Sequence, residues 1–138
     1  MKILFDTNII LDVLLNREQF VELSVNLVSL VENNELEGYL CATTITTLDY
    51  LITKTLNREK AKNEIKKLLN LFQIATVNST VLELALNSRF KDFEGAVQYY
   101  SGKCSEIDAI VTRNTKDYRN SELPVYTPDE LLKIISSQ

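Results

Sequence analysis

Short apolar runs alternate along this chain with longer segments in which apolar residues recur every three or four positions. The short runs are typical of buried strands and predict five of them, at residues 2–5, 38–42, 74–77, 109–112 and 125–126. The longer segments predict core-facing helices that open near residue 8, run over residues 20–31, 43–56, 57–72, 79–88 and 93–103, and close the chain at residues 127–135. Strands separated by helices indicate βαβ units, so we predict an α/β fold with a mostly parallel sheet and helices on both faces.

Polar residues mark the expected helix starts. Thr43 and Thr44 are predicted to cap the helix that follows the second strand, and Asn57 precedes the next one. The stretch "TPDELLKII" predicts a final helix capped by Thr127, with Pro128 at its first position.

Length and composition indicate one compact domain over residues 1–138. Hydrophobic residues make up 45% of the chain, enough for a core, and no biased tract indicates a linker. The apolar run at residues 1–5 is too short for a signal-peptide core, and no apolar stretch reaches membrane-spanning length. We therefore expect a soluble cytoplasmic protein without membrane contact.

The residue inventory excludes several kinds of chemistry. The chain has no histidine, which removes Ser-His-Asp catalysis and histidine metal sites. Its three glycines form no phosphate-binding loop, and Cys41 and Cys104 lie far apart, which favours two idle thiols. Carboxylates remain, and their hard oxygens favour Mg²⁺ or Mn²⁺.

Acids and amides stand where two of the strands end. Asp6 directly follows the first strand, while Asn114 and Asp117 follow the fourth. Ligands of parallel sheets gather beyond the carboxyl ends of the strands, so these groups converge if the two strands are neighbours. The alternative for Asp6 is an N-cap of the next helix, a role that Asn8 fills equally well.

A third acid, Asp49, falls within the apolar stripe of its helix, between Ile45 and Ile52. An inward carboxylate needs a cation or a metal ion as its partner. The alternative places Asp49 at the edge of the stripe, in contact with water or lysine.

Three further acids have structural explanations. Asp12 is interpreted as part of a solvated helix face, Asp92 as a helix-start residue and Asp108 as structural.

Taken together, "ILFDTNIILDVLL", the acid after "TTIT", "DFEGAVQYYSG", and "DAIVTRNTKDY" before "LPVYTP" resemble the PIN domain family, especially its VapC-like branch. The resemblance covers nearly the whole chain. It implies a three-layer α/β/α sandwich and a Mg²⁺- or Mn²⁺-dependent ribonuclease that cleaves RNA. It also implies the toxin of a toxin–antitoxin pair, with an antitoxin partner and a homodimeric state.

The resemblance assigns the catalytic and metal-binding roles to Asp6, Asp49 and Asp117. Asp49 stands where the family usually has Glu, and Asn114, a weaker ligand, stands where many relatives have Asp. These acids are expected to share one cleft with Asn8 and to hold a metal ion that activates water for attack on the RNA phosphodiester.

Thr7, Asn8 and Thr43 are expected to orient these ligands. One family acid is absent, because its position, directly before "AVQYYSG", is Gly95 in this chain.

The missing acid leaves two alternatives open beside an active nuclease. A chain silenced at Gly95 could serve as an RNA- or protein-binding module of the same fold. A phosphoaspartyl enzyme also places Asp at a strand end, but that class needs a second Asp where this chain has Asn8.

A chain of net charge −4 should repel RNA, but the metal ion would cancel the charge of the acidic pocket locally. Basic residues are candidates for a surrounding path, and the alternative for the lysine-rich helix is a solvated face. The candidates are Lys54, Arg58, Lys60, Lys62, Lys66, Lys67, Arg113, Lys116 and Arg119.

Overall fold

The structure is a computed structural model that describes all 138 residues of the chain. Five parallel strands form one sheet in the order β3-β2-β1-β4-β5, which confirms the predicted class and strand number. The strands are β1 (Lys2–Phe5), β2 (Glu37–Cys41), β3 (Gln73–Ala75), β4 (Ala109–Val111) and β5 (Val125–Tyr126).

Six α-helices lie between the strands and a seventh follows β5, while a short 3-10 helix at Thr115–Tyr118 follows β4. The α-helices are α1 (Thr7–Leu14), α2 (Val21–Glu32), α3 (Ala42–Thr55), α4 (Arg58–Leu71), α5 (Ser79–Leu86), α6 (Phe93–Cys104) and α7 (Pro128–Ser136). No helix in the structure combines the length and the apolar character that a membrane span requires.

Helices cover both faces of the sheet, as the strand pattern predicted. Along β1, Ile3 and Phe5 point into the larger core, which contains buried residues of α1, α2, α3, α4 and α7. Leu4 points to the opposite face and packs with Tyr99 of α6, while α5 packs against α6 on that same side. The two faces of a strand alternate, so an apolar run without polar interruption is buried on both.

The strand order reverses beside β1. This strand pairs with β2 on one side and with β4 on the other, where Phe5 lies opposite Val111. The backbone N–H of Asp6 continues this pairing by donating to the Val111 carbonyl at 3.0 Å. The carboxyl ends of β1 and β4 are therefore neighbours, which confirms the arrangement expected for the acids that follow them.

The predicted helix caps are correct at two helices and wrong at one. Asn57 accepts from the Lys60 N–H at 2.8 Å, and Thr127 forms a complete capping box with Glu130. The helix α3, in contrast, begins after Cys41 without a side-chain cap. Neither of the two predicted threonines caps it, because the chain enters the helix directly from β2.

The solvated position predicted for Asp12 is wrong, since its side chain is completely buried. Arg113 binds it in a bidentate manner, with Nε 2.6 Å from Oδ2 and Nη2 3.3 Å from Oδ1. A second arginine, Arg17, lies 3.5 Å away. The guanidinium of Arg113 also stacks 4.0 Å from the centroid of the Phe20 ring. Asp12 follows three buried residues, Ile9, Ile10 and Leu11, so it lies in the buried part of α1 and not on a solvated face.

We expect Arg113→Met to destabilise the protein by about 3 kcal/mol, because it leaves Asp12 as a buried charge with only the longer Arg17 contact. The double variant Asp12→Leu/Arg113→Met should be more stable than Arg113→Met alone, since it removes the uncompensated charge. Urea unfolding of the three proteins measures both effects. A loss below about 0.5 kcal/mol for Arg113→Met, as at an ordinary surface position, would contradict this interpretation.

Candidate active site

Asp6 lies at the junction of β1 and α1, where its side chain is 6% exposed. Its carboxylate makes no capping hydrogen bond to α1; instead, the Thr112 hydroxyl donates to Oδ2 at 2.7 Å. No lysine or arginine nitrogen lies within 4.0 Å of it. Burial raises the pKa of Asp6 above 3.8 despite the Thr112 hydrogen bond and nearby backbone amides, and the charge of Asp117 raises it further. Asp6 is therefore a buried acid without a protein cation.

Asp117 reaches the same region from the 3-10 helix after β4. The side-chain amide of Asn114 donates to Asp117 Oδ2 at 2.9 Å, while the Asn114 N–H donates to Thr112 Oγ1 at 3.0 Å. A chain of hydrogen bonds thus connects Asp6 to Asp117 through Thr112 and Asn114. Asn114 positions Asp117 but does not itself line the cavity between the two acids.

The two acids border a cavity of about 240 Å³ at the carboxyl ends of β1 and β4, which we call the acid cavity. Asp92 and Glu94, both exposed, also line it, from the start of α6. Asp92 accepts from the Gly95 N–H at 3.0 Å, which confirms the prediction that it is a helix-start residue. No three acids approach closely enough to hold a metal ion by themselves.

The structure does not bring Asp49 into the acid cavity, contrary to expectation. Its side chain is 42% exposed and lies 4.0 Å from Arg58, so the alternative at the edge of the apolar stripe describes it correctly. Thr47 lines the cavity from this helix instead, and its hydroxyl donates to Glu94 at 3.4 Å. Successive helical residues are rotated by about 100°, so Asp49 points roughly 200° away from Thr47. α3 therefore presents a hydroxyl to the cavity and no carboxylate.

Gly95 lines the acid cavity, as expected for the position of the missing acid. A Cβ atom built on it would lie 3.3 Å from Asp92 Oδ2, and its other nearest contacts would be ordinary ones at 3.9 Å. Asp92 is exposed and can shift by a few tenths of an ångström, so a larger side chain fits here.

The three residues expected to orient ligands lie in different surroundings. Thr7 is buried, with its hydroxyl 2.9 Å from that of Thr44, and Asn8 is an exposed residue of the cavity lining. Thr43 instead contacts Cys41 Sγ at 3.2 Å and lines a neighbouring groove, so Thr44 contacts Thr7 in its place. Thr43 therefore lies outside the acid cavity, and Thr44, about 100° further around the helix, is the residue that contacts Thr7.

Sequence reasoning missed two buried residues of the cavity, Gln98 and Tyr118. Gln98 accepts at Oε1 from the N–H and the hydroxyl of Thr7, at 3.3 and 3.4 Å. Burial, together with the charges of Asp6 and Asp117, raises the pKa of Tyr118 well above its ordinary value of 10.0, so the phenol is neutral. Gln98 was detectable as the one amide within the otherwise small and apolar start of "GAVQYY".

The free thiols and Asp108 agree with the interpretations from the sequence. Cys41 is buried, Cys104 is exposed, and neither forms a disulfide. Asp108 accepts from the Lys2 N–H at 2.7 Å and so holds the start of β1 in place.

Comparisons with known proteins agree with this architecture. Residues 2–116 match the profile of a family described as PIN domain. Ribonuclease VapC1 of Aquifex aeolicus (strain VF5) is 26% identical in an alignment of 134 positions that covers 94% of this chain and 92% of that protein.

Solved structures share the fold at lower identity. The crystal structure of VapBC2 from Rickettsia felis, bound to a promoter DNA fragment, superimposes with a TM-score of 0.68 and 14% identity, over 92% of this chain and 98% of that one. A toxin–antitoxin complex from Klebsiella pneumoniae has a TM-score of 0.67 and 20% identity, over 91% and 96% of the two chains. The family profile covers most of the sequence and the fold agrees with it, so this chain belongs to the PIN domain family.

Proposed function

We propose that this protein is a divalent-metal-dependent ribonuclease whose acid cluster is incomplete. The observation that supports it most directly is the meeting of Asp6 and Asp117 in one cavity at the carboxyl ends of β1 and β4. The likeness to Ribonuclease VapC1 supports RNA as the substrate. The likeness to VapBC and other toxin–antitoxin complexes supports a toxin role with an antitoxin partner.

The residues present fit a hard divalent cation. Asp6 is a buried carboxylate without a basic partner, and a bound cation would stabilise its charged form. Mg²⁺ is commonly held by one or two carboxylates, with waters and substrate phosphate completing its coordination. Asp6 and Asp117 would hold the ion, while Thr112 and Asn114 fix the two carboxylates through their hydrogen bonds. When bound, Mg²⁺ or Mn²⁺ supplies an activated water and neutralises charge on the phosphate.

Two positions that face the cavity lack a carboxylate, although the exposed Asp92 and Glu94 also line it. Gly95 contributes no ligand, and Thr47 offers a hydroxyl in place of an acid. Asp49, the acid expected from α3, lies outside. Fewer carboxylates bind a divalent ion more weakly, so we expect slow turnover. This arrangement also supports a second candidate function, an RNA- or protein-binding module that no longer cleaves.

Restoring an acid at Gly95 distinguishes the two functions. We expect Gly95→Asp to increase Mn²⁺-dependent cleavage of a mixed RNA pool by roughly tenfold or more, because it adds a carboxylate to the cavity lining. Gly95→Asn is the matched control, since it adds the same volume without the charge. Cleavage by Gly95→Asp should disappear when Asp6→Asn is added and should persist when Asp49→Asn is added.

Three outcomes would change the proposal. Equal cleavage by the unaltered chain and by Gly95→Asp would show that the acids already present suffice. Loss of cleavage on adding Asp49→Asn would contradict the exclusion of that residue from the site. If none of the folded proteins cleaves RNA, the ribonuclease proposal is wrong and the binding module replaces it.

Thermal unfolding tests the metal site without relying on activity. Because the pKa of Asp6 is raised in the folded state, its charge opposes folding at neutral pH, and this opposition declines as the pH falls toward 3.8. Asp6→Asn should therefore raise the melting temperature in EDTA, most at neutral pH and least in acid.

The Mn²⁺ titration is a second measurement. At a Mn²⁺ concentration of 100 times Kd, the free energy of unfolding of the unaltered protein should increase by about 2.7 kcal/mol, and that of Asp6→Asn should not change. An equal Mn²⁺ shift in both proteins would exclude Asp6 as a ligand.

The cationic path lies beside the acid cavity rather than on α4. Lys116 and Arg119, both candidates from the sequence, line an adjoining cavity of about 190 Å³ with Lys91, and Asp92 and Asp117 border both cavities. None of these three cations forms an ion pair. Among the other candidates, Arg113 pairs with Asp12, Arg58 with Asp49 and Lys67 with Glu64. The remaining candidates, Lys54, Lys60, Lys62 and Lys66, form no ion pair either, but they line neither cavity.

The salt dependence of RNA binding tests this path. We expect the triple variant Lys91→Ala/Lys116→Ala/Arg119→Ala to reduce the slope of log K against log salt by about 2 for single-stranded RNA, since each phosphate contact contributes about 0.7. The control is Lys60→Ala/Lys62→Ala/Lys66→Ala, which removes the same charge from exposed positions of α4. Equal slopes for the two triple variants would mean that RNA affinity depends only on the net charge of the protein and not on this path.

A further inference from the structure

Two buried side chains of the acid cavity have hydrogen-bond donors without a protein partner. Gln98 is 4% exposed and Tyr118 is 3% exposed. Buried polar groups are normally hydrogen-bonded to protein or to ordered water. The Gln98 Nε2 and the Tyr118 hydroxyl form no hydrogen bond within the protein. Both atoms remain accessible to solvent, and both residues line the acid cavity.

The orientation of Gln98 is determined by its other end. Its Oε1 accepts from the Thr7 N–H at 3.3 Å and from the Thr7 hydroxyl at 3.4 Å. A backbone N–H can only donate, so the carbonyl oxygen must face Thr7 and the amide nitrogen must face away from it. Thr7 is in turn held by the Thr44 hydroxyl at 2.9 Å. The two N–H groups of Gln98 are therefore held in place and available.

We propose that Gln98 and Tyr118 are a pair of neutral donors that bind the non-bridging oxygens of an RNA phosphodiester in the acid cavity. This inference rests on the proposed function, which supplies RNA as the ligand. Each donor adds a hydrogen bond to a charged oxygen, an interaction about twice as strong as one between neutral groups.

Neutral donors suit this cavity for an electrostatic reason. A lysine or arginine placed between Asp6 and Asp117 would form an ion pair with them and would no longer be available to the phosphate. An amide and a phenol carry no net charge, so they remain free beside the carboxylates. Donors fixed in advance also require little reorganisation when charge develops on the phosphate. The cationic path of Lys91, Lys116 and Arg119 can then hold the neighbouring phosphates of the same strand.

The test uses single-atom changes and a fluorescein-labelled, mixed-sequence single-stranded RNA oligonucleotide as the probe. Tyr118→Phe removes only the hydroxyl. Gln98→Glu keeps the acceptor for Thr7 and removes both donors, but it also adds a negative charge, so Tyr118→Phe is the decisive variant. Tyr100→Phe is the matched control, because Tyr100 lies outside the acid cavity. Binding is measured by fluorescence anisotropy, in EDTA and again with Ca²⁺, so that it does not depend on cleavage.

We expect Tyr118→Phe to weaken RNA binding about tenfold and Gln98→Glu to weaken it at least as much, with Tyr100→Phe unchanged. The melting temperature of Tyr118→Phe should equal that of the unaltered protein, because the hydroxyl has no protein partner to lose. Equal RNA affinity for Tyr118→Phe and the unaltered chain, an equal loss in Tyr100→Phe, or a lowered melting temperature for Tyr118→Phe would each overturn the proposal. Absence of RNA binding by the unaltered protein in both conditions would overturn it too.

This result is separable from the test of the nuclease. If the probe binds through Gln98 and Tyr118 while Gly95→Asp still cleaves no RNA, the ribonuclease proposal fails and the donor pair stands. If Gly95→Asp cleaves RNA but Tyr118→Phe and Gln98→Glu bind it normally, the donor pair fails alone.

Discussion

Arg113 extends from the end of β4 to the buried carboxylate of Asp12, and this ion pair connects α1 to the segment that carries Asn114 and Asp117. The residue before it, Thr112, donates to Asp6. Thr112 and Arg113, which directly follow β4, thus bind Asp6 at the end of β1 and Asp12 in α1. Because a buried charge without its partner is costly, the position of the loop after β4 is tied to the position of α1. The geometry of the acid cavity depends on this connection.

The two acids differ in what they receive from the protein. Asp12 has two arginines and is a structural charge. Asp6 has a hydroxyl but no cation, and its burial disfavours the charged form. No cation of the protein offsets the burial of Asp6, whereas the divalent ion of the proposed function would do so. Perturbed acids concentrated in a cleft are characteristic of functional sites for this reason.

The cavity combines retained and lost features of a nuclease site. Asp6 and Asp117 remain together, while Gly95 and Thr47 present no carboxylate. Beside them stand an amide, a phenol and three unpaired cations that are suited to a phosphate chain. Under the proposed function, the cavity therefore offers several groups that would contact a phosphate chain but few fixed carboxylates that would hold a metal ion.

The sequence by itself determined the strands, their parallel arrangement and the positions of Asp6 and Asp117 at strand ends. These features follow from local patterns, because a short apolar run bounded by polar residues is buried whichever elements pack against it. The resemblance to the family also located Gly95. Helix caps that depend on a local side chain, at Asn57 and Thr127, were predictable for the same reason.

Only the tertiary structure decided which face of each helix meets the cavity and which buried acid finds a cation. One side of α3 packs against α4 and another borders the acid cavity. The apolar stripe of this helix therefore does not predict whether Thr47 or Asp49 points into the cavity. Asp12 looked solvated because its partner lies 101 residues away, and no local pattern reports such a contact. Gln98 and Tyr118 likewise gain their significance from groups brought together across the sheet. Side-chain periodicity specifies which residues share a face, but the packing of the elements specifies what that face meets.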